Sequence, residues 1–200
     1  MTSPATSRTG SGLRTYRRFW IVAALVLVLD QGSKLLLTRL LPYGTYGPFP
    51  GPGGAEPIVV IPEVFQLVHI GNTGAAWGLL SGHQWILIGI GVAALLVLFF
   101  WRHGLEIWRP RFQVVFGLIA GGIVGNLLDR LLRGHVVDFL DVHLPGIPMV
   151  GIPAYRWPAF NVADAAIFCG VFLYLFLSFL PLRDQGRTPG GNGAGTGMGS

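Results

Sequence analysis

Asn126, Asp129, Arg130 and Arg133 recur at i, i+3, i+4 and i+7, so a helix through them would carry one polar stripe on one face. Two more acids follow, Asp138 in "GHVVDF" and Asp164 in "FNVADAAI". Two carboxylates held together do not both ionise easily, so one keeps a proton while the other carries charge. Such a pair can act as general base and general acid on a single water. On this chemistry alone an aspartyl hydrolase, a metal site and a proton site all remain open. His135, Asp138, Asp141 and His143 are metal-ligating types, but they fall in an expected loop without tight ligand spacing, and no metal is expected. Nor does serine chemistry find support: there is no G-x-S-x-G, and Ser33, Ser81 and Ser178 lack a motif pairing them with a base.

The elements that must position these acids are apolar. Only 12% of the 200 residues are charged and 52% are hydrophobic. Near-continuous apolar runs cover 19–41, 85–101, 112–132 and 159–180. Each approaches the roughly 20 residues needed to cross a hydrocarbon core about 30 Å thick. The expected class is therefore an all-α membrane protein with four transmembrane helices. The +5 net charge follows topology. Arg8, Arg14, Arg17 and Arg18 precede the first run, Arg102, Arg109 and Arg111 separate the second from the third, and Arg183 and Arg187 follow the fourth. Positive loops mark the cytoplasmic side, which puts both termini inside and segments 42–84 and 133–158 outside. No nucleic-acid partner is expected.

Segment 43–57 is rich in Gly and Pro and reads as an irregular outer loop, whereas 58–70 alternates β-branched and apolar residues and reads as strand-like structure at the outer surface. Residues 143–160 form a second outer loop with Tyr155 and Trp157 suited to the membrane interface. His69 and His83 are expected at a surface or interface, and the single cysteine, Cys169, as a small buried packing residue of the fourth span. The N-terminal 1–18 and the tail 181–200 are expected to be disordered cytoplasmic segments flanking one membrane domain, 19–180. "RRFWIVAALVLVL" reads as a retained span, because Asp30 and Lys34 follow without a small-residue cleavage site.

An ionisable residue inside a span costs at least about 2.5–3.5 kcal/mol, so it faces protein or water. Asp30 and Lys34, four apart, share a helix face, as an ion pair or as part of a site. Gly117, Gly121 and Gly125 recur every fourth residue, a ladder that lets another helix approach closely.

The blocks "DQGSK" (30–34), "NTGAAWG" (72–78), "GGIVGNLLDRLLRGHVVDF" (121–139) and "FNVADAAI" (160–167), in this order, resemble the lipoprotein signal peptidase family, the bacterial signal peptidase II. The resemblance covers about 20–180. It implies an aspartic peptidase of the bacterial inner membrane, needing no cofactor, that removes signal peptides of prolipoproteins just before a diacylglyceryl-modified cysteine. It further implies an Asp138–Asp164 catalytic pair, with Asn126, Asp129, Arg130 and Asn161 supporting it and binding substrate. Asp30, Lys34, Asn72 and Gly74 complete the family's polar set, and 58–78 becomes a small β-rich platform on the outer surface that cradles substrate. The expected partners are prolipoprotein and membrane lipid, with the enzyme a monomer and its active site at the outer face. Trp77 stands where Phe is common in the family. The rival reading is a small proton-coupled transporter using its acids as a relay; a non-catalytic assembly factor held by the glycine ladder is a third.

Overall fold

The computed structural model describes residues 15–45, 55–146 and 153–180. Expectations for 1–14, most of the 43–57 loop, part of 143–160 and the tail fall outside them. Four helices and four strands follow in order: α1 (Arg17–Leu40), β1 (Ile58–Ile61), β2 (Phe65–Asn72), α2 (Gln84–Phe100), α3 (Pro110–Arg133), β3 (Val136–Leu144), β4 (Tyr155–Arg156) and α4 (Val162–Phe179). Three of the helices, α1, α3 and α4, are long and apolar enough to cross a membrane. The fourth, α2, has 17 residues, is apolar, and buries none of them.

α3 is the axis of the bundle. Over half of its apolar stretch is buried, against about a fifth for α1 and α4, whose outer faces are left apolar and exposed. It opens with Pro110 at its first turn, where a missing N–H costs nothing, and stops at Gly134, whose φ of 76° suits the left-handed cap. The glycine ladder places two neighbours against it. A Cβ on Gly117 would meet Phe19 O at 2.9 Å, and one on Gly121 would meet Ala23 O at 2.7 Å and Val26 Cβ at 2.9 Å. The backbone of α1 therefore lies directly on this face of α3. Gly125 continues the contact to the Asp30 carboxylate, and α4 returns the arrangement with Gly170 packed on Ile119 and Val115. At the far end, buried Gln113 accepts from Arg18 N (3.1 Å) and donates to Thr15 O (2.9 Å) and Trp108 O (3.1 Å).

The strands form one antiparallel sheet in the order β1-β2-β3-β4. The strand-like reading of 58–70 corresponds to β1 and β2. The loop reading of the region after α3 does not hold: "VVDFLDVHL" is a nine-residue strand, β3, paired with β2 through Ile70↔Asp138 and Asn72↔Val136. The period-2 alternation of a strand sends Val137 and Phe139 to one face and Asp138 to the other. Phe139 anchors the first face in a cluster with Leu37 and Leu41. Phe160, just ahead of α4, bridges to β3: Phe160 N donates to Leu140 O (3.0 Å), and Phe139 N and Leu140 N donate to Phe160 O (3.0 and 2.8 Å). The strand carrying Asp138 and the helix start carrying Asp164 are thus hydrogen-bonded neighbours.

Two residue-level expectations are corrected. His69 is buried, its Nδ1 2.8 Å from Leu41 O at the end of α1. Cys169 is exposed, because α4 leaves that face uncovered.

The glycine contacts generate a paired test. Gly121→Ala should destabilise the protein by about 1–3 kcal/mol through overpacking, read as a lower melting temperature in detergent. Gly89→Ala, where a Cβ meets nothing within 4 Å, should be neutral or slightly stabilising through helix propensity.

Candidate active site

Asp138 and Asp164 reach one cavity from different elements. Its volume is about 1130 Å³, and Asn72, Gly74, Asn126, Arg130, Asp138 and Asp164 all line it. Asp138 arrives on β3. Asp164 arrives in the first turn of α4, in a reciprocal capping box: Asn161 Oδ1 accepts from Asp164 N (2.9 Å), and Asp164 Oδ2 accepts from Asn161 N (3.3 Å). The sequence N-x-x-D at the head of an apolar run therefore sets both the helix start and the direction of one carboxylate.

Three asparagines hold the pair. Asn161 Nδ2 donates to Asp138 Oδ1 (2.7 Å), so this one residue touches both acids. Asn72 Nδ2 donates to Asp138 Oδ2 (2.9 Å), and Asn126 Nδ2 donates to Asp164 Oδ1 (2.7 Å). Each amide is oriented by what its oxygen accepts: Gly74 N for Asn72 (2.9 Å), Asp164 N for Asn161, and Lys34 Nζ with Asn161 Nδ2 for Asn126 (both 3.4 Å). A carboxylate is an acceptor only, so three aligned donors match the pair's needs.

Beneath the cavity floor lies a fully buried charge cluster. Lys34 Nζ is 2.8 Å from Asp30 Oδ2 and 2.7 Å from Asp129 Oδ2, with all three side chains at 0% exposure. Arg133 also pairs with Asp129, balancing two acids with two bases. The cluster reaches both acid-bearing elements. Asp30 Oδ1 accepts from Ala163 N (3.0 Å), an orphan donor at the start of α4, and Asp129 Oδ2 accepts from Val137 N (3.2 Å), next to Asp138. Arg130 takes a different path from Arg133. Its Nη2 donates to Gly74 O (2.8 Å), tying α3 to the turn after β2, and it lines the cavity.

All ten residues singled out from the sequence thus occupy one contiguous region: six on the cavity wall, Asn161 behind both acids, and Asp30, Lys34 and Asp129 below. Gln31 was missed. Its Nε2 donates to Asp30 Oδ2 (3.0 Å), Gly125 O (3.2 Å) and Asp129 Oδ1 (3.2 Å), holding the two lower acids at a fixed separation. The signal was present, since an amide inside an apolar span needs partners just as a charge does. Asp141, weighed as a metal ligand beside Asp138, points away from it on the opposite sheet face and pairs with Arg156.

Burial pushes the Asp138 carboxyl up to about 7 from an ordinary 3.8; the neighbouring Asp164 charge adds to the rise, and the Asn72 and Asn161 hydrogen bonds and Lys34 only partly offset it. Around neutral pH such a group can both hold and release a proton.

Membrane-length helices topped by a small sheet, with two acids facing one cavity at their junction, define a membrane protein equipped for acid–base chemistry. The chain belongs to the signal peptidase II family, whose model matches residues 22–180. It is 36% identical over 173 residues to the lipoprotein signal peptidase of Moorella thermoacetica (86% of this chain, 99% of the relative). It is 40% identical over 153 residues to that of Chlorobium phaeobacteroides (76% and 89%). Two solved structures, each described as a bacterial membrane enzyme, superpose with TM-scores of 0.66 and 0.63 at 28% and 29% identity. They cover 80% and 83% of this chain, and 86% and 93% of their own.

The raised Asp138 value predicts a pH signature in stability. Between about pH 4 and 7 the folded protein binds a proton that the unfolded chain has released, so stability falls as pH rises through that window. Asp138→Asn removes this dependence. Its amide also places one donor against Asn72 or Asn161, a cost that does not vary with pH. The melting temperature of Asp138→Asn relative to the parent protein should therefore climb from pH 4 to 7 and level off above; a difference constant across that range would contradict the burial.

Proposed function

We propose that this protein is a membrane aspartic endopeptidase that cleaves the signal peptide from diacylglyceryl-modified prolipoproteins, just N-terminal to the lipidated cysteine. One observation carries the reading: Asp138 and Asp164 enter one cavity from separate elements, with Asn161 bonded to both. The names of the relatives supply the substrate class.

In this reading the two carboxyls share one proton. The ionised member takes a proton from a water as its oxygen attacks the scissile carbonyl. The protonated member donates its proton to the carbonyl oxygen, giving a neutral tetrahedral diol. Collapse re-forms the C=O, breaks the C–N bond and delivers a proton to the departing amine. Asn72, Asn126 and Asn161 hold the carboxyls while charge moves between them, so little reorganisation accompanies each step. Arg130, on the same wall, orients the substrate backbone, and Lys34 below the floor offsets the negative charge. No metal or cofactor enters the scheme. A diacylglyceryl anchor fixes the depth of the scissile bond, turning encounter into positioning within the membrane plane.

Four spans fit this chemistry, with α2 as the short one. Its 17 residues rise about 25 Å, and Trp85 in its first turn and Trp101 just past its end, both exposed, serve as interfacial anchors. An even number of spans keeps both termini on the cytoplasmic side with Arg102, Arg109 and Arg111, and leaves the sheet and cavity at the outer face. The chain acts as a monomer. A relay transporter would need acids strung across the membrane; here the pair is confined to the helix–sheet junction.

Asp138→Asn and Asp164→Asn should each lower cleavage of a purified lipid-modified precursor by at least about 10²–10⁴-fold, with a cooperative melt retained. EDTA should leave the parent rate unchanged. Substantial turnover by either variant would sink the mechanism, and loss of activity to chelator restored by zinc would favour a metal. Arg130→Ala should impair cleavage more than Arg133→Ala. Reporter fusions after Arg109 and Arg187 should read cytoplasmic and those at Gly53 and Gly151 external; an external C-terminus would overturn the four-span arrangement.

A further inference from the structure

The sheet face away from the acids carries a polar cluster that the chemistry above does not use. Asp141, at 0% exposure, accepts from Gln66 Nε2 (2.6 Å), lies 3.1 Å from His143 Nε2, and is gripped by Arg156 through Nε (3.0 Å) and Nη2 (2.5 Å). Register shows what this grip aligns. His143 pairs with Arg156 and Leu144 with Tyr155 across β3 and β4. Paired residues share a sheet face, and neighbours along a strand alternate. Arg156 therefore lies with His143 and Asp141, while Tyr155 lies with Leu144, Val142 and Asp138 on the cavity side.

On that side the aromatic residues beside Arg156 meet the turn after β2. Trp77 Nε1 donates to Tyr155 Oη (3.0 Å), and the Trp77 and Trp157 rings stand edge to face, centroids 6.1 Å apart. Trp77 and Trp157 both line the cavity. Trp77 has φ 56°, a left-handed backbone that a bulky residue adopts only at a cost. β4 has two residues, each paired with β3, and Trp157 N donates to Val142 O (2.9 Å), so a side-chain grip within it bears directly on where Tyr155 and Trp157 sit.

We propose that Arg156 is a positioning residue for substrate binding: its two-pronged bond to Asp141 sets the Trp77–Tyr155–Trp157 rim, which packs on the apolar side chains flanking the scissile bond. The proposal rests on the peptidase reading above. Arg156 touches no reacting atom, so its effect belongs on KM and not on kcat. Lysine can restore the charge but not the fork, so Arg156→Lys recovers only part of the effect.

The test combines kinetics with a spectroscopic readout that needs no activity. Arg156→Ala, Arg156→Lys, Trp77→Phe and the Arg156→Ala/Trp77→Phe double variant are assayed on a lipid-modified precursor, with melting temperatures and near-ultraviolet circular dichroism in the same detergent. Arg156→Ala should raise KM roughly tenfold, with kcat within a factor of about two. Arg156→Lys should fall between it and the parent. The double variant should be no worse than the more affected single one, because both changes dismantle one rim. The parent-minus-Trp77→Phe dichroism should show the coupled signal of the Trp77–Trp157 pair, and Arg156→Ala should lose that signal. An unchanged KM, effects that multiply in the double variant, a kcat that falls in step with the melting temperature, or a retained coupled signal in Arg156→Ala would each overturn the proposal. A parent protein that does not cleave the precursor would defeat the peptidase reading, and the dichroism would still decide whether Arg156 sets the rim.

Discussion

One buried ammonium organises the molecule. Lys34 lies between Asp30 and Asp129, and those two acids also accept backbone N–H groups at the start of α4 and on β3. Asp164 follows the first of these donors by one residue, and Asp138 follows the second. The relative position of two acids more than twenty residues apart is thus referred to a single charge on α1. Burying three charges is expensive, and an ion pair in such a place often contributes little net stability over a well-packed apolar substitute. Its value here is geometric. Removing Lys34 would leave two buried carboxylates uncompensated and both acid-bearing elements without a common reference.

The apolar parts of the chain make that arrangement affordable. The glycine ladder brings the backbone of α1 against α3, and only at this close approach can side chains as short as Asp30 and Asp129 meet one ammonium across the interface. Small residues and intramembrane charges are therefore two halves of one device. Above it, the asparagines translate the fixed charges into aligned donors, and each amide is held by a partner of its own. A site supported this way is preorganised, and the turn after β2 shares in it through Gly74, which is bonded to both Asn72 and Arg130.

Much of this was legible in the sequence, for identifiable reasons. Asn126, Asp129, Arg130 and Arg133 fall at helix spacing, and α3 does carry them on neighbouring turns. Apolar run lengths gave the helices, although the run at 85–101 forms a helix of only 17 residues. β3 was not legible: "VVDFLDVHL" follows a long helix and lies next to Gly/Pro-rich sequence, and its pairing with β2 is a long-range contact that no local pattern announces. The opposite facing of Asp138 and Asp141 was lost with it. Cys169 and His69 were misplaced because exposure in a membrane helix and burial in a small sheet both depend on neighbours, not on residue type. The Arg156–Asp141 grip is a tertiary contact of the same kind, whereas Gln31 stands in an apolar run where an amide needs partners.

Asp138 and Asp164 should sense one another as a coupled pair. Infrared titration of the carboxylic-acid C=O stretch, on the parent protein and on Asp138→Asn and Asp164→Asn, tests it most directly. One protonated carboxyl should titrate near pH 7 in the parent, where the nearby Asp164 charge adds to the effect of burial. The step near pH 7 should be lost or displaced in Asp138→Asn. In Asp164→Asn its midpoint should move to lower pH, because one of the causes holding the proton on Asp138 is gone. A midpoint indifferent to Asp164→Asn, or no carboxyl titrating in that range, would show that the two acids do not act together.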